Sequence, residues 1–218
     1  MKLEVRAIAW REASQTALPA GYGIVRAGNL AALVEVASPQ TNLTERAYLQ
    51  RYRKALDSWW QAGQQTILPV QAGASLAGPN EVAQILQSRA VEFEADLSRL
   101  AGKLELGLRL PLANANTEQN TQATLLSNSK QTPGLAYMQK LLQRETGTKT
   151  QLAQIEEVIL KLAKQAIDYK YIPPSSGATF AQADFLVESG NLVEFKQNIQ
   201  DCGLPGVITG PIPPFSFV

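Results

Sequence analysis

The chain has 218 residues, of which 45% are hydrophobic and 18% charged, and a net charge of +1. That length can bury one large or two small cores, and so small a charge gives no bulk attraction to nucleic acid or an anionic membrane. There is no histidine and a single cysteine, Cys202, which removes the commonest neutral-pH acid–base group and zinc ligand and excludes an internal disulfide framework.

In chain order, Leu3 to Trp10 alternates Leu3, Val5, Ala7 and Ala9 with Glu4, Arg6 and other residues, which predicts a strand. A second strand at Ile24–Arg26 meets Gly28-Asn29, a two-residue hairpin signal, and Leu30–Val36 is apolar enough for a strand buried on both faces. Thr44 offers an N-cap for a helix to about Ala62, with Tyr48, Tyr52, Leu56 and Trp59 on one face. Thr66–Gln71 reads as a strand that Pro69 confines to an edge or bulge. Pro79 opens a single helix carrying Val82, Ile85, Leu86, Phe93, Leu97 and Leu100, and Gly102 ends it.

The next strand, Lys103–Leu110, sets Leu104, Leu106, Leu108 and Leu110 against Glu105 and Arg109. Residues 113–133 are rich in Asn, Gln, Thr and Ser and read as a long polar loop. Helical spacing runs from Gly134 to about Tyr169 through Tyr137, Leu141, Leu152, Ile155, Ile159 and Leu162, with Gly147 as an interruption. Strands at Tyr169–Ile172 and Phe180–Val187, a helix from Leu192 to about Asp201 and a strand at Gly206–Thr209 complete the order. The fold class is therefore α+β, in two domains. Residues 1–102 form the first, and residues 103–218 form a ferredoxin-like βαββαβ domain that carries loop 113–133 and tail 209–218.

The tail reads Thr209-Gly-Pro-Ile-Pro-Pro-Phe-Ser-Phe-Val218. Its prolines forbid a helix, yet Phe215, Phe217 and Val218 are costly to leave in water, so the segment is expected to dock. Docking on its own domain is favoured over docking on a partner. This ending resembles that of the gas vesicle accessory proteins of the F/L family, which close with Thr-Gly-Pro-Trp-Pro-Pro-Tyr-Ser-Phe and a hydrophobic residue. Gly28-Asn-Leu-Ala-Ala-Leu-Val34, Leu68-Pro-Val-Gln-Ala-Gly73, Leu104-Glu-Leu-Gly-Leu-Arg109, Gly134-Leu-Ala-Tyr137 and Asp184-Phe-Leu-Val187 are similar to further family stations, in the same order. Departures at Gln71, Ala72, Ile212 and Phe215 fit a divergent paralogue.

The resemblance implies a minor protein of gas vesicle assembly that contacts the hydrophobic major shell protein and other accessory proteins, either guarding the shell protein from aggregation or nucleating the wall. It implies no cofactor and no catalysis. Gas vesicle location, with a soluble cytoplasmic form, is the corresponding expectation; the N-terminus has no secretory pattern and no stretch approaches a membrane span. A non-catalytic ferredoxin-like module binding a small ligand at the domain interface is the alternative. Candidate docking residues are Trp59, Trp60, Ile212, Phe215, Phe217 and Val218. In the Trp pair one ring faces the core and its neighbour lies about 100° round the helix. The acidic run Glu92, Glu94 and Asp96 spreads around a helix and reads as a solvated face.

Overall fold

Strand β1 (Leu3–Trp10) is buried along nearly its whole length, charged residues included. It lies inside a sheet of order β2-β3-β1-β4, with β2 at Tyr22–Ala27, β3 at Leu30–Val36 and β4 at Ile67–Pro69; a short β5 (Ser75–Leu76) also pairs with β1. These features come from a computed structural model, which describes residues 2–12, 18, 21–37, 45–63, 66–112, 149–175 and 178–218. Gly28 takes a positive φ of 57° in the hairpin that pairs Ala27 with Leu30, a conformation cheap only for residues such as glycine. Pro69 sits on the edge strand, where its missing donor costs least.

The β1–β3 register shifts between Val5 and Ala7. This β-bulge resets the alternation, so that Glu4, Arg6, Ala7 and Ala9 share one face. Helix α1 (Glu45–Gly63) covers that face, with Tyr52, Leu56 and Trp59 packed on Ala7, Ala9, Leu33 and Ile67. Leu3, Val5, Ile8, Ala32 and Val34 have the other parity and are buried too. Helices α2 (Pro79–Ser88) and α3 (Ala90–Leu100), which contact β1 to β4, contribute Val82, Leu86, Leu97 and Leu100.

Where the sequence pattern predicts one helix from Pro79, the structure has two. Arg89 leaves the helical region at φ −112° and ψ 20°, between α2 and α3. Apolar spacing carries across the break, because a one-residue kink preserves which side faces the sheet. Gly102, with φ 70°, ends α3.

The second sheet has the order β7-β8-β6-β9, built from β6 (Lys103–Pro111), β7 (Asp168–Ile172), β8 (Phe180–Glu188) and β9 (Val207–Ile212). Residues 149–163 are helical (α4) and α5 spans Leu192–Asp201, so the element order is β-α-β-β-α-β. Leu106, Leu108, Leu110, Ala181, Ala183, Phe185 and Val187 face these helices and meet Ile155, Ile159, Leu162, Phe195 and Ile199. The helix expected to about Tyr169 ends at 163, while the strand expected at Tyr169–Ile172 is present as β7. Thr44, loop 113–133, Tyr137, Leu141 and Gly147 lie outside the described residues.

The compact units are residues 1–105 with 211–218, and residues 106–210. The sequence division at 102 and 103 puts tail 209–218 wholly in the second domain; here its last eight residues group with the first unit.

Candidate functional site

In the first unit, the tail is bound as a peptide would be. Pro213 and Pro214 are buried, and a 3-10 turn at Phe215–Phe217 follows. The Ser216 backbone N–H and hydroxyl donate to the two carboxylate oxygens of Glu105 at 2.7 and 2.9 Å. Arg99 donates to the Phe217 carbonyl at 2.8 Å while also pairing with Asp96. Glu105 is buried, so these charge-assisted bonds offset a desolvation penalty that water no longer covers.

The six candidate residues fall into three groups. Trp59 and Phe217 are buried in their own unit. Trp60 and Phe215 are half-buried and pack on the α1 core cluster with Tyr22, Ile24 and Ala72; Ile212 is half-buried at the end of β9. Val218 is exposed. Trp60, Ala72 and Phe215, far apart in sequence, thus meet on one cluster. The indole N–H of Trp59 and the hydroxyl of Tyr22 are buried there without a hydrogen-bond partner among the described residues.

A buried charge network escapes the sequence reading, because alternation alone puts Glu4 and Arg6 on an outward face. Glu4 and Glu35 are cross-strand neighbours, and the bulge inserts Arg6 between them, its Nη2 at 2.7 Å from Glu4 and 2.8 Å from Glu35. From α1, Tyr48 donates to Glu4 at 2.7 Å and accepts from Arg6 at 2.7 Å, and Arg51 pairs with Glu35. The Arg6 guanidinium also lies over the rings of Tyr48 and Tyr52. Tyr52 donates to the Val70 carbonyl at 2.5 Å, and burial pushes its hydroxyl pKa up to about 12. Polar contacts thus fix the first half of α1 and apolar ones the second.

In the second unit, the face of the sheet turned away from α4 and α5 carries an exposed row at one end. Ile172 is 53% exposed, Phe180 42% and Val207 62%. Arg109 stacks over the Phe180 ring at 5.2 Å. Gln182 pairs with Ile172 across β7–β8, which puts Phe180 next along the same face. Beside Val207, Gly206 abuts Leu108 and Leu110 of β6. Sequence alone cannot identify this row, since its members come from three strands.

The remaining chemistry is local. Glu92 and Asp96 pair with Arg89 and Arg99 along α3, Glu94 accepts from Asn29, and the Cys202 thiol donates to the Asn198 carbonyl at 3.1 Å. Among the described residues no group of His, Cys, Asp and Glu could hold a metal ion, and no helix is long and apolar enough to cross a membrane.

Among curated proteins none matches the chain. Among solved structures, the gas vesicle protein GvpF from Anabaena sp. PCC7120 superposes with a TM-score of 0.74 at 18% identity, covering 99% of this chain and 95% of that one. GvpF from Microcystis aeruginosa gives 0.70 at 16%, covering 99% and 98%. At such identities the likeness speaks for the fold, the two-domain α+β architecture expected from the sequence. The model of the family described as gas vesicle synthesis protein GvpL/GvpF matches residues 10–218. With its tail, hairpin and strand motifs inside that match, the chain belongs to the GvpL/GvpF family of gas vesicle synthesis proteins.

Proposed function

We propose that this protein is a non-catalytic accessory factor of gas vesicle assembly that binds the hydrophobic major shell protein, keeping it from aggregating or seeding the wall, together with other accessory proteins. It acts at the gas vesicle and is soluble in the cytoplasm before assembly. The observation that carries this reading is the exposed row of Ile172, Phe180 and Val207 on a sheet face free of α4 and α5. An apolar row that costs free energy in water is relieved by an apolar partner, and the Arg109 cation at its side can orient a carboxylate or carbonyl on it. Trp59 and Phe217 are spent on the fold, which leaves the tail as a staple and moves the partner surface to the second unit.

The test is co-expression pull-down with the major shell protein. Capture by the native chain, lost in Phe180→Ser/Val207→Ser with an unchanged melting profile, supports the row as the interface. Under the same reading, Phe215→Ala/Phe217→Ala lowers the melting temperature first. Failure of the native chain to capture shell protein in the presence of the other accessory proteins sinks direct binding.

A further inference from the structure

We propose that strand β7 is a self-recognition edge, through which a second copy of this chain pairs antiparallel and extends the second sheet across a two-fold axis centred on Tyr169. β7 ends the order β7-β8-β6-β9, so one of its sides lacks a strand neighbour among the described residues. It carries no proline and no register shift against β8, two of the devices that blunt an edge, and its charged residues, Asp168 and Lys170, are of opposite sign. Tyr169 and Ile172 are exposed along it, and so is Ile167 just before it.

The orientation of its backbone follows from one hydrogen bond. The Tyr169 N–H donates to the Asp168 carboxylate at 2.8 Å, so that donor points away from β8 and toward the open edge. Asp168 holds the place that a carbonyl of an added strand would take. A two-fold axis at Tyr169 makes Tyr169 its own partner, in a pair that exchanges both backbone hydrogen bonds.

Two features select this register and this occupant. With Tyr169 opposite Tyr169, Asp168 of each copy falls opposite Lys170 of the other, giving two ion pairs by symmetry; an axis at Lys170 would oppose two like charges. The second feature is aromatic. Phe195 tilts against Phe185 at 5.3 Å, and Phe185 stacks on Tyr169 at 6.5 Å. Joining two copies at Tyr169 carries that ladder unbroken from one α5 to the other.

The experiment is sedimentation of the full chain over a wide concentration range, with cysteine cross-linking in a Cys202→Ser background. The native chain is expected to form a dimer. Asp168→Lys is expected to raise its dissociation constant about tenfold or more, because the introduced cation faces Lys170 of the other copy. Mixing Asp168→Lys with Lys170→Asp restores a heterodimer. Lys170 also lies opposite Asp184, so that variant is first checked by melting.

Cross-linking decides the register even if Lys170→Asp does not fold. Tyr169→Cys places two thiols across an axis where Cα atoms sit about 5.5 Å apart, within disulfide reach. Tyr171→Cys places them four residues out of step, about 13 Å apart. A disulfide dimer for the first and none for the second supports the pairing. A native chain monomeric at every concentration, or equal cross-linking at both positions, overturns it.

Discussion

Glu4 and Glu35 lie directly opposite one another on neighbouring strands and share the guanidinium of Arg6. Two buried carboxylates at that spacing repel, and the bulge in β1 exists in register terms to put a cation between them. Arg6→Met leaves Glu4 without a charged partner among the described residues and Glu35 with Arg51 alone, and is expected to cost roughly 3–5 kcal/mol, read by urea unfolding. Replacing Glu4, Arg6 and Glu35 together by apolar residues of similar volume is expected to be far milder, since each charge also gives up its desolvation penalty.

Tyr52 supplies a pH test on the same face of α1. Its folded pKa of about 12 exceeds the ordinary 10.0 because burial disfavours the phenolate. The folded state therefore keeps a proton that the unfolded chain releases. This contribution is fully present below pH 10 and is lost as pH rises through about 12. Tyr52→Phe is expected to flatten stability over that window, and ultraviolet titration of the native chain is expected to show a late-ionising tyrosine that this variant lacks.

Gly107 is a position where only glycine fits. A Cβ built there would stand 2.5 Å from the Thr209 hydroxyl oxygen and 3.1 Å from an Asp184 carboxylate oxygen. Gly107→Ala is expected to destabilise by about 1–3 kcal/mol. Thr209→Ala removes the nearer atom, so the double variant is expected to recover part of the loss in a melting-based double-mutant cycle.

Ser216→Ala removes one of the two hydrogen bonds that Ser216 gives buried Glu105 and is expected to cost about 1–3 kcal/mol. Hydrogen exchange localises the effect: protection falls at Ser216 and Phe217 before it falls in β1 or β3. Conversely Tyr22→Phe deletes a buried hydroxyl that has no partner among the described residues, and is expected to be neutral or slightly stabilising.

What the sequence reveals is what neighbours in the chain decide. β1, β3 and α5, the Gly28-Asn29 hairpin and the alternation of Leu106, Leu108 and Leu110 depend on local spacing, and each is readable. Long-range partners set the rest. The bulge at Arg6 needs the register of β3, and two-residue β5 exists only by pairing with β1. The tail is legible as a docking segment, but not its receptors, since Ser216 binds a carboxylate 111 residues away. Glu105 looks like an outward strand residue until that segment arrives.

The grouping of residues 211–218 with residues 1–105 also bears on synthesis. A ribosome releases N-terminal domains first, and most begin to fold while the rest is made. Here the earlier-made unit cannot be finished in that order: Glu105 waits for Ser216, and Arg99 for Phe217. Completion of the first unit is therefore tied to residues made after the whole of the second, and a nascent chain stalled before residue 211 would hold an open first unit.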